Sequence, residues 1–172
     1  MAIPGHPGAR APADNHVGRM RVPRLEERKL MARVLVIDDE PDVLLLCRVN
    51  LEHAGHEVLE ALDAERGLEL AFSKEPDVIV LDLMLPRKDG YEVLRELDAA
   101  DRLMTMPVLV LSARARWEDR VRGWQAGASE YVTKPFSPVT LTEVLERVSS
   151  MSHEDRQQHR ADALRVLLLE RV

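Results

Sequence analysis

The chain has 172 residues, a formal net charge of −6, a single cysteine and 3 % aromatic residues. This length fits one domain with short appendages, the hydrophobic content of 45 % is enough for an aliphatic core, and no apolar stretch approaches the roughly 18 residues that a membrane span needs. The single Cys47 excludes an internal disulfide and a cysteine-rich zinc site, and it is compatible with a reducing cytoplasm, where we expect the protein.

Residues 1–31 are predicted to be a disordered, basic extension. Residues 1–30 carry six Arg or Lys against three Asp or Glu, contain four Pro and three Gly, and have almost no periodic apolar pattern. Two explanations stay open: a basic tether, or an upstream start codon with Met31 as the true start. The rest of the chain is acidic, which argues against nucleic acid as a direct partner.

Residues 32–151 are predicted to be one domain in which strands and helices alternate. The predicted strands lie at 33–38, 57–61, 77–82, 108–111 and 130–133. The helices between and after them open at Pro41, after the cap Asp63, near Tyr91, near residue 116 and at Pro138. Four consecutive aliphatic residues, as in Val34–Ile37, are typical of strands buried on both faces. The pattern therefore predicts an α/β fold, with a parallel sheet covered by five helices.

Residues 152–172 are predicted to form a separate helical tail. Its apolar residues recur at helical spacing, at Ala161, Leu164, Leu167, Leu168 and Val172. Three positions for this stripe stay open: against its own domain, against a partner helix, or on a membrane surface.

Polar side chains follow the predicted strands at the edge where parallel sheets bind ligands. Asp38 and Asp39 follow the first strand, Asp82 the third, Ser112 the fourth and Lys134 the fifth. Carboxylates held this close raise each other's pKa unless a cation lies between them. The sequence therefore predicts a hard divalent cation, Mg²⁺, at Asp38, Asp39 and Asp82.

We call this edge of the sheet, where the polar side chains follow the strands, the rim. Side chains of these types at one rim can support phosphoryl transfer. An aspartate near the metal can form an aspartyl phosphate, while Lys134 and the Ser112 hydroxyl can contact phosphoryl oxygens. Each signal alone has a simpler explanation, because acidic pairs after strands are often solvated turns or helix caps. Only their joint occurrence at one rim favours a functional site.

Four segments of the chain resemble the receiver domain of two-component response regulators, the CheY-like superfamily. They are Val36–Pro41, Leu81–Pro86 with Asp89–Tyr91, Leu111–Arg114 and Gly127–Phe136. The spacing of 22 residues from Ser112 to Lys134 is also the family's usual value. The resemblance covers about residues 33–150 and implies a flavodoxin-like, doubly wound sheet with strand order 2-1-3-4-5.

The resemblance implies roles for the rim residues. Asp82 would accept a phosphoryl group from a sensor histidine kinase. Asp38 and Asp39 would bind Mg²⁺ together with Asp82 and the backbone carbonyl of Met84. Lys134 would contact the phosphoryl group, and its bond to Pro135 is expected to be cis.

The resemblance also implies a switch and two flanking positions. Ser112 would move towards the phosphate and Tyr131 would turn inward with it, although Tyr131 packing simply on the sheet edge stays open. Met84 and Arg114 would flank the phosphoryl group. Since Met84 cannot activate water, we expect a slowly hydrolysing phosphoaspartate.

The output is expected to be a protein contact. Only about 22 residues follow the last receiver helix, which suggests a stand-alone regulator. The resemblance implies that a downstream protein binds the face made by the fourth helix, fifth strand and fifth helix, and a homodimer stays open. Trp117 and Trp124 lie seven residues apart on the fourth helix, and we expect at least one to be partly exposed there.

Three rival functions share parts of this pattern. The chain is not expected to be an enzyme beyond its own phosphorylation and dephosphorylation, because a phosphatase of the haloacid dehalogenase type needs an aspartate where Met84 stands. A phosphorylation-independent scaffold would be expected to lack acidic or lysine positions, and none is missing. A phosphorelay intermediate that donates to a histidine phosphotransfer protein stays open.

Overall fold

The computed structural model describes residues 31–170, so the predictions for residues 1–30 and for Val172 lie outside the described part. The strands are β1 (Arg33–Ile37), β2 (Glu57–Ala61), β3 (Val78–Leu81), β4 (Val108–Ser112) and β5 (Glu130–Thr133). The α-helices of these residues are α1 (Pro41–His53), α2 (Ala64–Lys74), α3 (Gly90–Ala99), α4 (Trp117–Gln125), α5 (Pro138–Ser150) and α6 (His153–Leu169). A short 3-10 helix spans Arg102–Met104.

The strands form one parallel sheet in the order β2-β1-β3-β4-β5, which confirms the predicted fold. The chain goes from β1 to β2 on one side and to β3 on the other, so the direction of winding reverses between β1 and β3. In the register of these two strands Ile37 lies opposite Leu81. The residues that follow them, Asp38 and Asp82, therefore emerge side by side at the point where doubly wound sheets bind ligands.

Successive residues of the buried strands point to opposite faces of the sheet, and each face has its own apolar core. Val34 and Val36 pack with α1 and α5, in a cluster that includes Leu51. Leu35 and Ile37 pack on the other face, with residues of α2 and α3. Both alternating positions are apolar because both faces are covered by helices.

Several helix ends have the local chemistry that the sequence predicts. The Asp63 carboxylate accepts a hydrogen bond from the Arg66 N–H at 2.8 Å and caps α2. Gly55 follows α1 with φ of +93°, and Gly127 follows α4 with φ of +106°, both in the left-handed region that ends helices. After each glycine the chain continues through a short loop into the next strand, β2 or β5.

The tail helix α6 packs on its own domain, against α4. This is the first of the three possibilities that the sequence left open. Leu167 is 3 % exposed and lies in an apolar cluster with Val121 and Trp124. Trp117 is partly buried against the same cluster, so both indoles lie next to α6. Within residues 31–170, no helix combines the length and the apolar character needed to cross a membrane.

Candidate functional site

Two buried carboxylates lie at the centre of the rim. Asp38 is 1 % exposed and Asp82 is 4 % exposed, directly after the neighbouring strands β1 and β3. The Asp82 N–H donates to the Ile37 carbonyl at 2.9 Å, which continues the strand pairing up to the site. The positions of these side chains are therefore fixed by the central strands of the sheet.

Lys134 joins these carboxylates through its ammonium group. Its Nζ donates to Asp38 Oδ2 at 2.7 Å, to Asp82 Oδ2 at 2.8 Å and to Glu40 Oε1 at 2.9 Å. The Lys134 N–H donates to the Ser112 carbonyl, and the Lys134–Pro135 peptide bond is cis, as the resemblance implies. The end of β5 thus reaches across the rim to residues nearly a hundred positions earlier in the chain.

The second oxygen of each buried carboxylate is held by the backbone. Asp38 Oδ1 accepts from the Glu40 N–H at 3.0 Å, and Asp82 Oδ1 accepts from the Met84 N–H at 2.8 Å. Each carboxylate therefore has one oxygen on the lysine and one on a backbone amide, which fixes its orientation. The Met84 side chain itself is exposed.

Burial and charge act in opposite directions at this rim. Burial raises the pKa of the Asp38 carboxyl, although its hydrogen bonds to Lys134 and the Glu40 amide oppose that effect. For Lys134, burial alone would lower the pKa, but hydrogen bonds to Asp38 and Asp82 raise it above the ordinary value. The ammonium is therefore charged at neutral pH and partly compensates the buried carboxylates.

Within residues 31–170, the carboxylates that could share a cation are Asp38, Glu40 and Asp82, each with an oxygen within 4.8 Å of the others. Oxygen donors of this kind suit a hard cation such as Mg²⁺. Asp39, which the sequence places in the metal site, is exposed and lies outside this group. Its role as a ligand stays a prediction, and Glu40 is the acidic residue that the sequence argument missed.

The difference between Asp39 and Glu40 arises in the turn between β1 and α1. Alternation within a strand predicts which residues share a face, but three consecutive acidic residues in a turn have no such period. Glu40 is the residue immediately before α1, and its carbonyl accepts from the first turn of that helix. This position turns its carboxylate back towards Lys134, a geometry that no sequence spacing encodes.

Ser112 and Tyr131 are connected through Arg114. Ser112 is fully buried at the end of β4, and its Oγ accepts from the Arg114 N–H at 3.3 Å. The Tyr131 hydroxyl donates to the Arg114 carbonyl at 2.6 Å. Arg114 also places its guanidinium 3.7 Å from a carboxylate oxygen of Asp119, at the start of α4. A shift at Ser112 would therefore reach Tyr131 through one intervening loop.

Fold and rim together define a class of protein: an α/β domain with buried aspartates and a lysine at the carboxyl edge of its sheet. The family model of the response regulator receiver domain matches residues 34–146. The chain belongs to this family.

Solved structures and curated relatives agree with this assignment. A Francisella response regulator receiver domain is 32 % identical with a TM-score of 0.65, covering 69 % of this chain and 96 % of that one. The chemotaxis response regulator CheY4 of Vibrio cholerae is also 32 % identical with a TM-score of 0.65, covering 69 % and 98 %. The regulator RpaA of Synechocystis is 42 % identical over 70 % of this chain, and PhoP of Bacillus subtilis is 42 % identical over 62 %.

These relatives correct one expectation from the sequence. RpaA is named a DNA-binding transcriptional regulator, and PhoP a transcriptional regulatory protein. The expectation of no direct nucleic-acid partner is therefore wrong as an exclusion, because the acidic charge of a receiver domain says nothing about DNA contacts made elsewhere in a regulator. The chain spans about half the length of the curated relatives it matches, so a stand-alone regulator stays a prediction.

Proposed function

We propose that the protein is a response regulator that accepts a phosphoryl group on Asp82 from a sensor histidine kinase, with Mg²⁺ bound beside it. The observation that carries this proposal is the Lys134 ammonium, which bonds Asp38 and Asp82 at once on a buried rim. A lysine held by two carboxylates is a charge already in position for the oxygens of an incoming phosphoryl group.

The proposed chemistry uses few protein groups. An oxygen of Asp82 attacks the phosphorus, and the bond from phosphorus to the histidine nitrogen of the kinase breaks. Lys134 turns from Asp82 to the new phosphoryl oxygens while it keeps its contact with Asp38. When bound, Mg²⁺ would neutralise charge on the phosphoryl group. Asp38, Glu40 and Asp82, whose carboxylates lie close together, would hold the ion, and Asp39 and the Met84 carbonyl are further predicted ligands.

The proposed output follows from Ser112 and Tyr131. The Ser112 hydroxyl donates to the phosphoryl group, and the loop that carries Arg114 changes the acceptor of the Tyr131 hydroxyl. The face formed by α4, β5 and α5 then changes its contacts with a downstream protein or a second copy of the chain. The protein catalyses only its own phosphorylation and dephosphorylation.

Acetyl phosphate with Mg²⁺ tests the proposal directly. We expect the intact mass to rise by one phosphate, and we expect no rise in Asp82→Ala or without Mg²⁺. Asp89→Ala is the matched control, because this partly buried helix cap lies in the same loop but outside the carboxylate group. A wild-type chain that gains no phosphate, or a phosphorylated Asp82→Ala, would contradict the proposal.

Two other outputs are separated by what the phosphorylated protein does next. A phosphorelay intermediate would lose its phosphate to a histidine phosphotransfer protein, whereas a phosphorylation-independent scaffold would bind its target equally with or without Asp82. Transcriptional regulation is the output that the names of the relatives suggest. Its test is fluorescence anisotropy of labelled duplex DNA, with and without phosphorylation of the chain.

The exposed side chain of Met84 provides a prediction about phosphate lifetime. Met84 is 49 % exposed next to the acceptor and has no group that can orient water. We expect Met84→Asn to accelerate dephosphorylation by about threefold or more, because an amide can position an attacking water. The measurement is the decay of the phosphorylated mass after removal of acetyl phosphate, with Met84→Leu as the control that should match wild type. Equal decay in the asparagine variant would count against the idea.

A further inference from the structure

Helix α6 lies on the part of the molecule that the proposed function uses for output. Its Leu167 is almost fully buried beside Val121 and Trp124 of α4, and Ala163 and Leu164 pack around the same cluster. The Trp117 indole N–H donates to the Leu167 carbonyl at 2.6 Å. The α4 surface therefore holds α6 through apolar side chains and through an indole donor that bonds a backbone carbonyl of α6.

Polar contacts also join α6 to β5. The His159 ring nitrogen lies 3.0 Å from Glu130 Oε2, and the His159 ring meets Trp124 edge-on with centroids 5.6 Å apart. Glu130 also accepts from Arg147 of α5 at 2.7 Å. One carboxylate thus links α5, β5 and α6, so α6 covers the α4–β5 part of the face rather than an unrelated surface.

The apolar anchor of α6 is small. Among its large aliphatic residues, Leu167 is the buried one, while Val166, Leu168 and Leu169 are each more than half exposed. The N-terminal turn of α6 is held more firmly, because Arg156 is 9 % exposed and its guanidinium donates to the Met151 and Met104 carbonyls. The C-terminal part, with one fully buried leucine, belongs to the less stable elements of the fold. It can be released without disturbing the sheet, whose cores are formed by other residues.

Tyr131 connects the surface that α6 contacts to the phosphorylation site. Its ring packs against both the core of the sheet and the cluster of Val121, Trp124 and Leu167. A Cβ added at Gly123 of α4 would lie 2.8 Å from the Tyr131 ring, so the ring and α4 are in close contact. The Tyr131 hydroxyl bonds the Arg114 carbonyl, two residues after Ser112. Any turn of this ring must change the surface on which α6 sits.

We propose that the α4–β5 face is a helix-binding surface that the C-terminal part of α6 occupies in cis, and that phosphorylation of Asp82 releases this part of α6 through Tyr131. The inference rests on the proposed function for its trigger. In the unphosphorylated chain α6 blocks the face, and an amphipathic helix of a partner replaces it after release. Because the coupling is reciprocal, loss of α6 docking should also favour the phosphorylated state.

The two tryptophans of the chain report docking directly, because both lie on α4 beside α6. We expect Leu167→Asp to raise acrylamide quenching of tryptophan fluorescence at least about twofold, because the buried anchor of α6 is lost. Leu168→Asp is the matched control: it introduces the same charge at the next residue, which is 53 % exposed, and should quench like wild type. Trp117→Phe removes the indole N–H and one ring of the side chain, leaves Trp124 as the fluorophore, and should raise quenching of Trp124 by a smaller amount. Equal quenching in wild type, Leu167→Asp and Trp117→Phe would overturn the docking.

The coupling is tested by measuring mass and quenching on the same samples with acetyl phosphate and Mg²⁺. We expect quenching of the phosphorylated wild type to approach that of Leu167→Asp, and Leu167→Asp to reach a larger phosphorylated fraction than Leu168→Asp. A full mass gain with unchanged quenching would overturn the release of α6 while leaving the proposed function intact. A chain that gains no phosphate would overturn both.

Discussion

Replacing Lys134 by alanine is expected to lower the free energy of unfolding by about 3 kcal/mol at neutral pH without Mg²⁺, because two buried carboxylates lose their cation. The side chains of Lys134, Asp38 and Asp82 are 12 %, 2 % and 4 % exposed, so water screens this contact weakly. The contact with Glu40 adds little, since that carboxylate is 61 % exposed. Urea unfolding followed by circular dichroism measures the difference.

Magnesium should partly reverse this loss. In the wild type the ammonium contacts the same three carboxylates that could hold the ion, so lysine and Mg²⁺ compete for the same charge. We therefore expect Mg²⁺ to stabilise Lys134→Ala more than wild type, by an amount that grows with the logarithm of its concentration. A similar effect of Mg²⁺ on both proteins would contradict the competition between the lysine and the ion for these carboxylates.

Lys88→Ala is the control for the loss of a lysine as such. Lys88 pairs with Glu96, a partly exposed carboxylate on α3 that does not belong to the group of Asp38, Glu40 and Asp82. We expect its effect on unfolding to stay within about 0.5 kcal/mol, since exposed pairs contribute little. A loss in Lys134→Ala no larger than in Lys88→Ala would contradict the view that the rim lysine compensates buried charge.

The sequence predicts those parts of the molecule in which apolar residues recur at the regular spacing of a strand or a helix. Four consecutive aliphatic residues indicate strands buried on both faces, and the alternation with helices predicts a parallel sheet. Since carboxyl ends of parallel strands share an edge, the sequence alone predicts that Asp38, Asp82 and Lys134 lie near one another. The direct contacts of the lysine with both aspartates bear out that expectation.

The parts that the sequence does not predict depend on tertiary contacts. The stripe of α6 indicates that the helix packs on something, but amphipathicity does not encode which surface receives it. The sequence suggests a partner surface at Trp117 and Trp124, and the immediate neighbour of both is this helix of their own chain. The sequence places Asp39 among the metal ligands, whereas the carboxylates that lie together include Glu40 instead. The reason is similar, because residues in a turn have no regular alternation from which their directions could be predicted.

Gly90→Ala is expected to have the second large effect, although the sequence marks Gly90 only as part of a loop motif. Gly90 is the first residue of α3, and a Cβ there would overlap the Asp82 carbonyl oxygen and come within 2.7 Å of the Leu83 Cα. Backbone atoms cannot rotate away as side chains do, so α3 or the segment that carries the phosphoacceptor must move. We expect a loss of about 3 kcal/mol or more in the free energy of unfolding.

The same displacement should impair phosphorylation. A shift of Asp82 by a fraction of an ångström misplaces its oxygen relative to Lys134, and we expect the initial rate with acetyl phosphate to fall about tenfold or more. Gly67→Ala is the matched control, because the three atoms nearest to its Cβ, at 2.5 to 3.0 Å, belong to the Ile37 side chain and not to the backbone, and alanine favours helix α2. It should keep the phosphorylation rate and lose less stability. If Gly90→Ala unfolds and phosphorylates like Gly67→Ala, the close approach of α3 to the phosphoacceptor does not position Asp82.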